Sequence, residues 1–312
     1  MDGRGPRPVP GWYMMSGVSR SSGRRLAAWA LVWAASAVLA SACVRPMRMP
    51  QPGEREPDKY LFDRGSEALK SKHWLEAREY FQRLVDQFPQ SSYRQEARLG
   101  IGDAYLGEGG YDTLVIAAEK FREFLRYFPL NERADYAQYK VAVAESEQML
   151  SPERDQTATI TTLREIDTFL RLYPNSKYMP EALALQRTAR DRLSDSEFRV
   201  GQFYYRSRWY RGAIPRFESI LASNASYLKR DAVYYHLAES LLRTGQTKEA
   251  YEYFTRLIEE FKVSDYLTDA RARVDEITRL RDSALQQGRP AADATAATPA
   301  TEPGAEQSAT PR

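Results

Sequence analysis

The 312-residue sequence predicts an all-α solenoid of about five helix hairpins with a capping helix at its C-terminal end, and three observations carry that expectation. A small residue followed four positions later by a large apolar one recurs five times, as Ala77/Phe81, Ala117/Phe121, Thr162/Ile166, Ala213/Phe217 and Ala250/Phe254. Another aromatic stands seven residues further on in four copies, at Phe88, Phe128, Tyr173 and Phe261, and proline follows it at Pro89, Pro129 and Pro174. Proline lacks an N–H and clashes with the preceding turn, so it ends a helix there. Twelve residues before the small residue, the first, fourth and fifth copies carry Gly65, Gly201 and Ala238, where two helices have to cross closely.

The physical reading is a stack of two-helix units. A small residue on the first helix lets the alanine of the second approach, and the aromatic fills the gap to the next hairpin. The first copy, Leu61-x3-Gly65-x8-Trp74-x2-Ala77-x3-Phe81-x7-Pro89, resembles the tetratricopeptide repeat closely. The large residues are spaced 40, 45, 51 and 37 apart, longer than the ~34 residues of that repeat, so the units carry insertions. In the second, Tyr105 to Ala117 is three residues too long for Gly102 and Tyr105 to keep their places, and the loop Gly107–Tyr111 is expected to absorb the excess. In the third, residues 151–155 extend the hairpin loop; in the fourth, a long first helix runs from Pro180 to about Ser207 with no strong breaker inside it. Beyond Phe261, residues 264–277 onward read as a last helix that caps the stack. From Gly288 the chain is almost only Ala, Thr, Pro and Gly with a few charges, too poor in large apolar groups to bury a core.

The N-terminus reads as an address. Arg24 and Arg25 precede the apolar run Leu26–Leu39, which meets Ala40-Ser41-Ala42 and the sole cysteine, Cys43. That is the layout of a secretory signal peptide, and the run is short for the ~20 apolar residues of a membrane span. The segment resembles a lipobox, with Ala40 where leucine is usual and Leu39 one place further out. The resemblance implies that residues 1–42 are removed and Cys43 becomes the lipidated first residue, tying the chain to a membrane. Translation starts at Met1, Met14 or Met15. Val44 follows the cysteine and no retaining aspartate is present, which favours the outer membrane.

Charge and composition exclude whole classes of function. The net charge is +3, yet residues 1–42 hold Arg4, Arg7, Arg20, Arg24 and Arg25 against Asp2, so the remainder is nearly neutral and no nucleic-acid partner is expected. Twenty tyrosines and twelve phenylalanines against two histidines describe contact surface rather than acid–base chemistry. His73 and His236 stand at no metal-ligand spacing from each other or from Cys43. Gly100-Ile101-Gly102 follows no strand and is no phosphate loop. Neither catalysis nor a cofactor is expected. A solenoid presents a concave face lined by its first helices, and the early first helices carry Tyr60, Phe62, Tyr93, Tyr105, Tyr136 and Tyr139 as candidate peptide-binding residues.

The lipobox, the five insertion-bearing repeats and the segments Tyr93–Ala97, Asp135–Lys140 and Tyr173–Tyr178 together resemble the BamD family of outer-membrane β-barrel assembly lipoproteins, over about Lys59 to Phe261. That resemblance implies a protein held on the periplasmic face of the outer membrane. It implies that residues 58–177, with repeats one to three, receive unfolded outer-membrane β-barrel clients. Residues 178–286, with repeats four and five and the cap, would dock on the periplasmic domains of the barrel-forming, BamA-like assembly subunit. The stretch Asp191–Gly201 leading to Trp209 and Arg216 resembles the family's docking region. Residues 43–57 would be a linker and 287–312 a tether. A different envelope scaffold, serving pilus assembly or cell division, would share every feature but the partner.

Overall fold

The computed structural model describes residues 56–286, which fall in one compact unit, 54–312. The expected signal peptide, Cys43, the first residues of the expected linker and residues 287–312 lie outside the described residues. Eleven helices and no strand occur among the described residues. They pair as α1 (Pro57–Lys70) with α2 (Trp74–Gln87), α3 (Arg94–Glu108) with α4 (Tyr111–Tyr127), and α5 (Ala134–Ser146) with α6 (Thr157–Leu172). The fourth and fifth pairs are α7 (Met179–Arg206) with α8 (Tyr210–Ser223) and α9 (Arg230–Arg243) with α10 (Thr247–Glu260), and α11 (Leu267–Gln286) closes the stack. Each helix packs on the next, and among first helices α1 also touches α3, α5 touches α7 and α7 touches α9. Second helices make no comparable contact with one another. The first helices therefore line the inner wall of the curve.

All five small/large pairs are buried, and the glycines explain how. A Cβ on Gly65 would stand 2.7 Å from the Phe81 ring, one on Gly100 2.5 Å from the same ring, one on Gly102 2.8 Å from Phe121 and one on Gly201 2.7 Å from Phe217. The glycine makes room for the ring, not for the alanine as the sequence suggested. Phe81 of α2 is wedged between α1 and α3, so one side chain joins two repeats, and the Gly100-Ile101-Gly102 pair is a double notch for Phe81 and Phe121. Deleting such a ring would leave a cavity that neighbouring backbone cannot close.

The aromatics seven residues beyond each pair are the C-terminal caps of their helices: Phe88, Phe128, Tyr173 and Phe261, with Asn224 at this place in the fourth repeat. The N–H of each donates back to the carbonyl four residues earlier. In the second repeat the three extra residues are not in the loop. The link shrinks to Gly109 and Gly110, both at positive φ, and α4 begins early, running 17 residues where α2 has 14. Three residues are close to one helical turn, so the register of Phe121 survives. The third repeat does spend its excess in the loop 147–156, where the Arg192 guanidinium donates to the Met149 and Leu150 carbonyls at 2.9 and 3.0 Å.

The 28-residue α7 serves two repeats. Its first half buries Ala182, Gln186 and Ala189, and the Gln186 amide donates to Asp167 of α6 at 2.7 Å. Its second half buries Ser194, Phe198 and Gly201 against α8 and α9. One unbroken helix thus joins the third repeat to the fourth.

Candidate functional site

Three of the five junctions, first to second repeat, third to fourth, and fifth to capping helix, share one device. Phe62 of α1 stacks on Tyr93, which precedes α3, with ring centroids 5.0 Å apart. Tyr139 of α5 stacks on Tyr178, which precedes α7, at 5.2 Å, and Tyr235 of α9 stacks on Tyr266, just before α11, at 4.8 Å. Two residues before each of these tyrosines lies a serine, Ser91, Ser176 or Ser264. Its Oγ accepts the tyrosine N–H at 3.1 to 3.2 Å. Its hydroxyl donates at 2.6 to 2.7 Å to an aspartate, Asp58, Asp135 or Asp231, at the second position of the earlier first helix. The serine oxygen satisfies the N–H of the tyrosine that leads into the helix, and the aspartate ties that turn to the previous repeat. The Ser-x-Tyr spacing and its aspartate were legible in the sequence but become meaningful only once pairing is known.

The six candidate aromatics are all half-buried, and the structure gives them different neighbours. Phe62 and Tyr93 face each other, with Phe62 also leaning on Phe81 at 6.0 Å. Tyr93 precedes α3 rather than lying within it. Tyr105 lies under the guanidinium of Arg78 at 4.4 Å, and Arg78 is ion-paired with Glu108. Tyr136 and Tyr139 are brought together through Tyr178, which lies 5.5 Å from the first and 5.2 Å from the second. The Tyr136 hydroxyl donates to Asp103 Oδ1 of α3 at 2.6 Å. Burial raises the Tyr136 phenol far above its ordinary range, and the Asp103 charge adds to the effect. Burial also raises the Asp103 carboxyl, against the pull of the Tyr136 hydrogen bond and of Lys140 and Arg133. The cluster is ringed by cations over aromatic faces, Arg133 4.6 Å and Lys140 5.4 Å from the Tyr136 ring and Lys177 5.1 Å from that of Tyr178. Such a wall offers apolar area, phenolic tips and positive charge to an extended chain. Asp103 escaped the sequence reading because it comes from another repeat; Tyr178, Lys140 and Lys177 lie in segments that the sequence singled out, but only the packing shows that they meet.

Trp209 and Arg216 sit at the other end. Trp209 is the residue before α8 and is 53% exposed; Arg216, two turns on, is exposed and pairs with Glu197 of α7 at 3.2 Å. Tyr204 packs edge-on against Trp209 at 4.8 Å. In this half the inner rings close on His236 instead. Phe198, Tyr205, Phe217, Tyr235 and Tyr266 all lie within 6 Å of its ring, centroid to centroid, and its Nδ1 has no hydrogen-bond partner. Burial, helped by Arg206, pushes His236 down to about 4. Among the described residues no group of His, Cys, Asp and Glu is placed to hold a metal ion, and no helix is long and apolar enough to cross a membrane.

Helix hairpins stacked through ring-in-notch contacts define a tetratricopeptide-repeat scaffold, and a tetratricopeptide-repeat family matches residues 232–262. The outer membrane lipoprotein family YfiO matches residues 54–240, and the chain belongs to that family. Relatives carry the name outer membrane protein assembly factor BamD. That of Caulobacter vibrioides is 27% identical over 197 residues, 63% of this chain and 64% of its own length. That of Neisseria meningitidis serogroup A is 26% identical over 222 residues, 67% of this chain and 81% of the relative. That of Rickettsia prowazekii is 24% identical over 193 residues, 62% and 76% respectively. The match thus spans just under two thirds of the Caulobacter relative. Among solved structures, the MamA protein is 14% identical over 67% of this chain and 97% of that one at a TM-score of 0.30, a likeness too slight to carry an argument.

Proposed function

We propose that this protein is the lipid-anchored tetratricopeptide component of the machinery that inserts β-barrel proteins into the outer membrane, acting as a scaffold and not as an enzyme. The observation that carries the reading is the family match over 54–240 together with relatives named as outer-membrane protein assembly factors. The anchor is Cys43, acylated after removal of residues 1–42, which holds the solenoid on the periplasmic face. The inner wall of repeats one to three, with Tyr60, Phe62, Tyr93, Tyr105, Tyr136 and Tyr139, receives unfolded barrel clients. Its cation-ringed tyrosines suit a peptide that ends in aromatic side chains and a carboxylate. The α7–α8 hairpin around Trp209 and Arg216 docks on the periplasmic domains of the barrel-forming subunit. Exposed aromatic and arginine side chains are the types that dominate protein interfaces.

Co-purification from detergent-solubilised membranes tests the proposal. The barrel-forming subunit is expected with the parent chain, and Cys43→Ser should leave an exported protein that no longer sediments with membranes. Recovery of a pilus-assembly or cell-division complex in its place would overturn the assembly reading in favour of a different envelope scaffold.

A further inference from the structure

Residues 198–217 hold five arginines, Arg199, Arg206, Arg208, Arg211 and Arg216, and not one acidic residue. Two of the five are neutralised from outside the stretch, Arg199 by Glu153 at 2.7 Å and Arg216 by Glu197 at 3.2 Å. The other three, Arg206, Arg208 and Arg211, are exposed and form no ion pair among the described residues. They flank the turn between α7 and α8, where Arg208 sits at φ 60° and the Trp209 N–H donates to the Tyr204 carbonyl at 2.9 Å. Two aromatic side chains stand out from the same turn, Phe203 at 65% and Trp209 at 53% exposure. Neither is loose. Phe203 leans on Tyr204 at 5.7 Å, and the Trp209 ring is held between the Tyr204 edge and Gly212, where a Cβ would come within 2.9 Å of the indole.

Other hairpin tips at this edge of the solenoid are different. The α3–α4 turn is Gly109-Gly110 between Glu108 and Asp112, and in the α9–α10 hairpin Arg243 is drawn to Glu239 at 3.8 Å. The fourth tip alone combines unpaired guanidinium groups with anchored, outward-facing rings. Arginine forks match the oxygens of a phosphodiester in two-point hydrogen bonds, while tryptophan settles at the boundary between hydrocarbon and headgroups. A convex turn carrying both is shaped to enter a headgroup layer, whereas a protein partner would need a complementary acidic, apolar-lined hollow.

We propose that the α7–α8 tip, formed by Phe203, Arg206, Arg208, Trp209 and Arg211, rests on an anionic phospholipid surface. The inference builds on the membrane-side placement proposed above, and it moves Trp209 from the protein-docking surface to the lipid while leaving Arg216 where it was. This tip would give the chain a membrane attachment in addition to the lipid proposed on Cys43. Linked attachments bind more tightly than either alone.

The test uses the chain from residue 44 on, which contains the whole compact unit 54–312, without its acyl group. Beyond residue 43 the only tryptophans are Trp74 and Trp209. Vesicles of phosphatidylcholine and phosphatidylglycerol in equal parts are expected to shift the emission to the blue and to be bound more weakly as salt rises. Pure phosphatidylcholine vesicles and inorganic phosphate should do neither. The shift should vanish in Trp209→Phe. Replacing Arg206, Arg208 and Arg211 together with Gln should weaken binding by about fivefold per charge, roughly a hundredfold in all, with the helical circular dichroism unchanged. The same three changed to Lys should restore most of the binding. Equal binding to pure phosphatidylcholine, a shift with phosphate alone, or an unchanged shift in Trp209→Phe would overturn the proposal. So would a parent that ignores vesicles while the triple Gln variant loses the barrel-forming subunit; the tip would then be a protein-docking surface and the assembly reading would stand.

Discussion

The two halves of the solenoid use the same staple and surround it differently. In the N-terminal half, Tyr139 on Tyr178 sits among Arg133, Lys140 and Lys177, with the Tyr136 hydroxyl held by Asp103. In the C-terminal half, Tyr235 on Tyr266 is part of a closed ring of aromatics about a neutral His236. The stack itself is therefore structural, since it recurs in both halves, where the first repeat meets the second, the third meets the fourth and the fifth meets the capping helix. What differs is the polar dressing, and that is what each half has to spare for partners. The long α7 keeps the two environments on one rigid rod of about 42 Å, at about 1.5 Å per residue.

If the ring-in-notch contact is what the halves share, then losing it should hurt both alike. Phe81→Ala and Phe217→Ala are each expected to cost about 3–5 kcal/mol, read as a fall in the urea midpoint. A much smaller loss at one of them would show that its half is not held by the ring in its glycine notch.

Acid should separate the halves. His236 titrates near 6.5 when free and at about 4 in the fold, so as pH falls the unfolded chain takes up the proton first. The stabilisation is whole above 6.5 and drains away between 6.5 and 4, to an extent on the order of 3 kcal/mol. Hydrogen exchange at pH 4.5 should show α9 and α10 opening well before α1 to α4. His236→Gln should remove that difference; an unchanged pH dependence in this variant would place the acid sensitivity elsewhere.

Smaller effects probe the dressing. Tyr136→Phe deletes a hydrogen bond to a half-buried carboxylate and should cost about 1.5–3 kcal/mol, visible as a lower melting temperature. Ser264→Ala removes the hydrogen bonds to the Tyr266 N–H and Asp231 and should cost about 1 kcal/mol. Equal and negligible losses in both would mean that the stacked rings alone hold the junctions.

Much of this was legible in the sequence, for reasons that differ by residue. The Ala/Phe pairs and the aromatic-proline ends fix local geometry, so they located the hairpins, the long first helix of the fourth repeat and the capping helix. The three-residue excess of the second repeat went into the first turn of α4 because Gly109 and Gly110 at positive φ permit a two-residue link; a pattern of spacings cannot distinguish a longer loop from a longer helix. Glycine's partner was misjudged too, since only packing reveals that Phe81 enters both Gly65 and Gly100. Of the site, the tyrosines and the cations beside them on single helices were visible, but Asp103 and Tyr178 reach Tyr136 from 33 and 42 residues away, and only the packing brings them together. The arginine-rich, acid-free stretch 198–217 was visible all along and gained meaning once three of its charges proved unpaired.

The division of labour between the halves is the central claim, and crossed binding measures it most directly. A peptide ending like the last strand of an outer-membrane barrel and the purified barrel-forming subunit would each be titrated against Tyr136→Ala with Tyr139→Ala, and against Arg216→Glu. The first variant should lose the peptide and keep the subunit; the second should do the converse, since reversing a charge at an interface costs several kcal/mol and Tyr136 and Tyr139 do not touch Arg216. Variants that bind both partners like the parent would contradict the assignment of these residues, and a parent that binds neither would contradict the assembly function itself.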